Sequence, residues 1–205
     1  MKKSKKSKYS LLTIILFSFC SFVNASDQWK TVKNELYSFS VPSNWERSSP
    51  LGIGKDEFTP SERKTNTFHR YFLSWSSPII NGNFSELISI NIESYKRLDN
   101  KALSIVDIEK SEMSKLEKAT KILSRKEISA SSGEKRFIIN EISTTISMKS
   151  ESRKEQNYRI YLLSQAGNMV HCLVVFTSEK IYLLPETQQV INEILDSFTI
   201  NSSKK

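Results

Sequence analysis

The chain is poor in cysteine and histidine, which argues against several kinds of site. Its 205 residues include two of each, Cys20, Cys172, His69 and His171. Zinc sites draw on closely spaced cysteines and histidines, and the two histidines here lie far apart with no cysteine cluster nearby. The carboxylate spacing of a calcium-binding loop is also missing. The sequence therefore predicts neither a metal site nor a bound cofactor.

Glycine is equally scarce, with five residues, and the glycine-rich motifs of nucleotide-binding proteins and hydrolases are absent. Gly52 and Gly54 begin like a dinucleotide-binding fingerprint, but Glu57 stands where the third glycine would be. No phosphate-binding loop occurs, and no Gly-x-Ser-x-Gly nucleophile motif occurs. These absences argue against the common nucleotide-dependent enzymes and serine hydrolases.

A thiol nucleophile with a histidine base is the remaining catalytic pair to consider, since His171 and Cys172 are adjacent. Their segment is apolar enough to form a buried strand, and neighbouring side chains on a strand point to opposite faces. They would then be unable to form the hydrogen bond that activates a thiolate. We therefore expect a protein that is not an enzyme.

The N-terminus has the features of a secretory signal peptide. A lysine-rich leader precedes an uncharged apolar run over residues 11–23, and the small residue Ala25 stands just before Ser26. A helix over that run would be about 20 Å long, too short for a hydrocarbon core of about 30 Å. We therefore expect cleavage between Ala25 and Ser26, no stable membrane anchor, and an exported, periplasmic protein of residues 26–205.

Removal of the leader changes the meaning of the net charge. The leader holds five lysines and no acidic residue, so the formal charge falls from +8 to +3. Lysine and arginine alternate with glutamate along much of the remaining chain, as in the segment EKSEMSKLEKATK. Nucleic-acid binders instead concentrate basic residues on one face. The sequence thus predicts a mixed-charge surface and no nucleic-acid partner.

Alternation of apolar and polar residues predicts most of the secondary structure. Tyr37, Phe39 and Val41 alternate with serines before Pro42, as in a half-buried strand, and Trp45 then returns to the core. Further strand patterns cover residues 70–77, 85–95, 125–130, 135–146, 157–164 and 169–177, and the turns SSGE and QAGN separate the last four into two pairs. Residues 47–67 are polar and irregular, which predicts a long loop. We expect residues 201–205 to form a flexible tail.

Two helices complete the predicted order. Ser104 and Asp107 have the spacing of a capping box at the start of the first. Its buried face consists of Ile105, Ile108, Leu116, Ala119 and Leu123. The second begins at Pro185, and its buried face consists of Val190, Ile191, Ile194, Leu195 and Phe198. An antiparallel sheet packed with helices gives a single α+β domain over residues 26–205.

Both ends of this domain resemble a known family. YSFSVPSNWE (residues 37–46) resembles the aromatic-x-aromatic-x-hydrophobic-Pro-x-x-Trp start of PsbP-like and DcrB-like domains. INEILDSFTI (residues 191–200) resembles the helix and short strand that close them. The resemblance implies an α/β/α sandwich that serves mainly as a non-catalytic binding or scaffolding module. It offers no catalytic motif to transfer.

Together these features favour an exported, non-catalytic interaction protein of the bacterial cell envelope, whose partner is another protein. One version is an immunity or adaptor protein for a secreted toxin. The candidate interaction residues are loop-borne apolar side chains: Phe58, Phe68, Ile79, Ile80 and Phe84. Each has the alternative of packing back onto the domain.

The alternative function is a periplasmic carrier of a small ligand. Its pocket would lie between sheet and helix, lined by residues such as Trp45 and Trp75.

The predicted signal peptide can be tested on the full-length chain. When this chain is expressed in a bacterium, the intact mass of the purified protein should match residues 26–205. Ala25→Gln places a larger side chain at the cleavage position and should leave precursor uncut. A wild-type mass that still includes residues 1–25 would contradict cleavage.

Overall fold

The structure, a computed structural model, describes residues 29–47, 61–64, 68–77, 87–99, 101–146 and 152–201. Its elements are β1 (Trp29–Lys33), β2 (Tyr37–Pro42), β3 (Glu46–Arg47), β4 (Ser61–Lys64), β5 (Phe68–Ser76), β6 (Ile88–Arg97), α1 (Ile105–Ala119), β7 (Lys121–Ile128), β8 (Glu134–Ile146), β9 (Ser152–Ala166), β10 (Met169–Ser178), α2 (Glu179–Tyr182), α3 (Pro185–Ser197) and β11 (Thr199–Ile200). The predicted signal peptide, its cleavage site at Ala25 and Ser26, and the candidates Phe58, Ile79, Ile80 and Phe84 lie outside the described residues.

An eight-stranded antiparallel sheet forms the middle of the domain. Its strand order is β3-β5-β6-β10-β9-β8-β7, and β4 pairs with β5 beside β3. β10 occupies a central position, and seven of its ten residues are buried. This agrees with the prediction for the segment MVHCLVVF, which is apolar on both faces and therefore needs cover on both.

The two faces of the large sheet are covered differently. A three-stranded sheet, ordered β1-β2-β11, packs with α2 and α3 on one face, while α1 packs on the other. The predicted α+β architecture, with an antiparallel sheet and helices packed against it, is therefore confirmed. No helix in the described ranges is both long enough and apolar enough to cross a bilayer.

The first core lies between the large sheet and the cover formed by the small sheet and α3. Tyr37, Phe39 and Val41 are buried by the alternation predicted for β2, and Trp45 joins the same cluster. The ring of Phe198, at the end of α3, lies 5.5 Å from that of Tyr37. The two ends of the domain thus meet in one core.

The second core lies under α1. The capping box predicted at Ser104 and Asp107 is present, and it fixes where the helix begins. Ile108 and Leu116 then point into the cluster that includes Phe137. The rings of Phe137 and Tyr161 stack there with their centroids 4.7 Å apart.

Two predictions for the helices need correction. α1 ends at Ala119, because Thr120 adopts an extended backbone and the chain then pairs with β8. Leu123, predicted on the buried face of the helix, lies instead on β7 and is 43% exposed. In α3, Val190 is only partly buried, whereas Ile191, Ile194 and Leu195 are buried as predicted.

The predicted loop over residues 47–67 is also too long. It contains β4, whose four residues pair with β5 from Ser61↔Phe72 to Lys64↔His69. Phe68, proposed as a loop residue for interaction, is the first residue of β5 and pairs with Arg97. Polar residues form a strand here because β5 supplies the pairing, which a single segment of sequence does not reveal.

His171 and Cys172 lie on opposite faces of β10. The Nδ1 atom of His171 lies 2.8 Å from Oγ of Ser94, and the edge of its ring meets Tyr37 in the first core. Cys172 belongs to the second core. The two side chains therefore do not form a nucleophile–base pair.

Burial of His171 predicts a pH-dependent stability. Desolvation lowers the pKa of His171 from 6.5 to about 4, so the folded protein holds the ring neutral. Between these values the unfolded chain binds the proton better. The free energy of unfolding should therefore fall as the pH drops from 6.5 towards 4, by about 3 kcal/mol in all.

Urea unfolding of residues 26–205 across this pH range measures the slope. His171→Gln should make the free energy of unfolding less dependent on pH, whatever the substitution does to stability at pH 7. His69→Gln is the matched control, and it should leave the pH dependence unchanged. An unchanged slope in His171→Gln would contradict the assignment.

Candidate functional site

Strand β7 ends the large sheet and is the most exposed of the long strands that the structure describes. Every residue of β7 except Ile122 is exposed. Within the described part of the chain, β8 is its only pairing partner. One edge of β7 therefore presents backbone donors and acceptors that have no neighbouring strand among the described residues.

The register of β7 assigns its side chains to the two faces of the sheet. A bulge between Ile122 and Ser124 shifts the pairing by one residue. Ile122 and Arg125 consequently face α1. Lys121 and Lys126 are paired with Ile142 and Ile138, and they face the side of the sheet that carries α3.

A groove lies between α1 and the strands β7 and β8, and we call it the α1 groove. Its volume is about 690 Å³. It is lined by Val106, Glu109, Lys110, Met113, Glu117, Thr120, Ile122, Arg125, Lys135 and Ile139. Val106, which lines it, is 52% exposed.

A buried carboxylate organises this groove. Glu109 on α1 is only 8% exposed and accepts hydrogen bonds from Arg125 on β7 and from Lys135 on β8, the latter at 3.0 Å. Burial alone would raise the pKa of Glu109, but the hydrogen bonds from these two cations hold the pKa below its ordinary value. Glu109 therefore ties α1 to the edge of the sheet.

Arg125 and Lys135 make further contacts in this cluster. Glu127 lies 3.0 Å from Arg125 and 3.2 Å from Lys135, and the guanidinium of Arg125 lies 4.5 Å from the centre of the Phe137 ring. The charges of these two cations are balanced by Glu109 and Glu127 within the protein.

A second groove, the α3 groove, lies on the opposite face of the same edge. Its volume is about 450 Å³, and its lining includes Lys126, Ile128, Ile138, Tyr182 and Asn192. Tyr182 is held by stacking on Tyr158, with ring centroids 4.0 Å apart. We call β7 together with the two grooves the β7 surface.

Three lysines of the β7 surface have no ion pair within the described ranges. They are Lys110 on α1 and Lys121 and Lys126 on β7, and all three are exposed. Glu117 is the exposed carboxylate among the residues of the α1 groove that likewise has no ion pair in the described part. The β7 surface is therefore positively charged.

A further buried polar network surrounds Tyr95. The hydroxyl of Tyr95 contacts the carboxylates of Glu93 and Glu112. Burial, followed by the charges of these two glutamates, raises the pKa of Tyr95 far above its ordinary value, so its phenol stays protonated. Among the described residues, no three His, Cys, Asp or Glu side chains are grouped closely enough to hold a metal ion.

Among the residues predicted from sequence, those that the structure describes do not lie at this surface. Phe68 lies on β5, on the other side of the central strands from β7. Trp45 and Trp75, proposed to line a ligand pocket, are buried in the first core and line neither groove. The signal that was missed is the segment KILSRKEI, which carries charged residues on both faces, as exposed edge strands do.

The role of Glu109 can be tested with a matched residue on the same helix. Glu109→Ala leaves Arg125 and Lys135 without this partner and should lower the free energy of unfolding by about 2 kcal/mol. Glu117→Ala removes an exposed carboxylate from the same helix and should change the free energy of unfolding by about 0.5 kcal/mol or less.

The Glu109 difference should also depend on pH. Because the pKa of Glu109 lies below 4.5 in the folded protein, its contribution is present above that pH and is lost as the pH falls further. Equal effects of the two substitutions at pH 7 would contradict the role of Glu109.

No protein-family model matches the chain, and a search of curated proteins finds no significant match. Solved structures that match include cyanobacterial PsbP (CyanoP) from Synechocystis sp. PCC 6803, at 12% identity and a TM-score of 0.48, covering 91% of this chain and 99% of that one. LpqN of Mycobacterium tuberculosis, involved in cell envelope biogenesis, matches at 10% identity and a TM-score of 0.48, covering 85% and 91%.

The Saccharomyces cerevisiae Ran-binding protein Mog1p matches at 13% identity and a TM-score of 0.47, covering 84% and 95%. The PsbP-like resemblance seen at the two ends of the sequence thus recurs among the matching structures, at the level of the fold.

Proposed function

We propose that the chain is an exported, non-catalytic protein of the bacterial cell envelope that binds another protein through the β7 surface. The observation that supports this most is an exposed sheet edge lying between two grooves. Such an edge offers backbone hydrogen bonds, and the grooves offer sites for side chains on either side of it. An immunity or adaptor protein for a secreted toxin is one form of this function.

A non-catalytic role is supported by the placement of the reactive side chains. His171 and Cys172 are buried on opposite faces of β10, and the raised pKa of Tyr95 keeps its phenol protonated. The residues that line the α1 groove include no cysteine, histidine or serine. The groove is thus equipped for binding through apolar contacts and charge.

The alternative is a small-ligand carrier, and the volume of the α1 groove favours it, since ligand sites commonly measure about 300–1,000 Å³. The two functions differ in whether the bound molecule covers Val106. A small ligand would sit on the apolar floor at Ile122 and Ile139, whereas a protein would also cover the exposed Val106 side chain.

Capture of partners by tagged variants of residues 26–205 tests the proposed function. Wild-type protein should recover a partner from native extract at near-stoichiometric yield, and Val106→Glu should lower that yield at least about tenfold. Leu98→Glu is the matched control, because Leu98 is 42% exposed and lines neither groove.

Circular dichroism should show that all three proteins are equally folded. If Val106→Glu recovers as much partner as wild type does, the β7 surface is not the binding site. Thermal stabilisation by one class of small compounds, without any partner in the capture, would favour the carrier instead.

A further inference from the structure

We propose that the β7 surface binds an acidic, extended segment of its partner, which pairs with β7 as an additional strand of the large sheet. This inference rests on the proposed function and specifies the chemistry of the partner. It follows from three properties of β7: its unpaired edge, its uncompensated lysines and the different character of its two faces.

The edge provides the pairing. β7 runs for eight residues, and its described pairing is confined to β8. A segment added on the other side would satisfy backbone groups that no described strand pairs with, and such strand addition is a common mode of peptide recognition. The bulge between Ile122 and Ser124 limits uninterrupted pairing to the stretch from Ser124 to Ile128.

The charge selects an acidic partner. Lys121 and Lys126 project from β7 on the side of α3 and have no carboxylate partner within the described residues. Glu109 and Glu127 already pair with Arg125 and Lys135, and Glu141, opposite Ile122, pairs with Arg159. Complementary charges across a strand pair are favourable and like charges are unfavourable.

The same charge argues against a second copy of this chain. Lys121, Arg125 and Lys126 are basic, and Glu127 is the one acidic residue of the strand. Pairing two β7 strands about a twofold axis would place two such basic strands side by side. An acidic segment would attract the basic side chains of β7, whereas a second copy of β7 would repel them.

The two faces of β7 then predict the pattern of the segment. On the side of α1, an added side chain would lie beside Ile122 and the groove that contains Met113 and Ile139. On the side of α3, it would lie beside Lys121 and Lys126. Because side chains alternate along a strand, the segment should alternate apolar and acidic residues.

A synthetic peptide provides the direct test. The probe is a fluorescent peptide of alternating glutamate and valine, about eight residues long to match β7. Fluorescence anisotropy with residues 26–205 should show binding that weakens as salt rises, because exposed charges are screened. The corresponding lysine–valine peptide should not bind.

Charge reversal locates the site. The double variant Lys121→Glu and Lys126→Glu should weaken binding of the glutamate–valine peptide at least about tenfold. The double variant Lys33→Glu and Lys101→Glu is the control, since it makes the same change in net charge at exposed lysines that neither belong to β7 nor line a groove. Its affinity should stay within about twofold of wild type.

Backbone methylation of the peptide separates strand addition from simple charge attraction. A paired strand directs the N–H groups of alternate residues to its neighbour. Methylation of every valine nitrogen and methylation of every glutamate nitrogen should therefore differ, with one peptide losing affinity and the other keeping it. Equal affinities would overturn strand addition.

Failure of this inference can be told apart from failure of the proposed function. If Val106→Glu abolishes capture of a partner but the glutamate–valine peptide does not bind, the acidic segment is wrong and the protein-binding function stands. If sedimentation shows a dimer that the Lys121→Glu and Lys126→Glu variant strengthens, the occupant is a second copy and the proposal is overturned.

Discussion

The burial of both faces of β10 is the constraint on which the rest of the structure depends. A strand that is apolar on both sides at the centre of a sheet leaves two faces to be removed from water. Leu173 and Val175 supply one core, and Val170 and Cys172 supply the other. Each core needs its own cover, and this need explains why α1 lies on one side of the large sheet while the small sheet lies with α2 and α3 on the other.

The two covers do not extend to the end of the sheet. α1 packs on the second core but leaves a groove before β7, and α3 leaves a smaller groove on the other face. The ion pairs of Glu109 with Arg125 and Lys135 bridge the first gap instead of apolar packing. Because both grooves border the same strand, the incomplete cover of the core also defines the candidate binding surface.

The parts of the fold that follow from local patterns were predicted well. The alternation of Tyr37, Phe39 and Val41, the capping box at Ser104 and the apolar stripe of α3 each concern residues close together in sequence. β4 and the end of α1 were missed because they depend on pairing with distant segments. The apolar spacing of the helix continues to Leu123 in the sequence. The segment around Leu123 nevertheless pairs with β8, so Leu123 lies on a strand.

The candidate surface was not predictable in the same way. Whether a strand lies at an edge depends on the order of all strands in the sheet, which no single segment contains. The loop candidates follow from residue type alone. The β7 surface instead depends on how far α1 and α3 cover the two faces of the sheet beside β7. Trp45 and Trp75 illustrate the difference, since both are aromatic residues used entirely for packing.

The pairing of β2 with β11 has a consequence for how the protein is made. Ser38 lies opposite Thr199, and the backbone N–H of Asn201 donates a hydrogen bond to the carbonyl oxygen of Leu36. The small sheet therefore cannot be completed until residues 199–201 have left the ribosome. Contacts between segments so distant in sequence form slowly. The cover over the first core consequently stays incomplete until that point of synthesis.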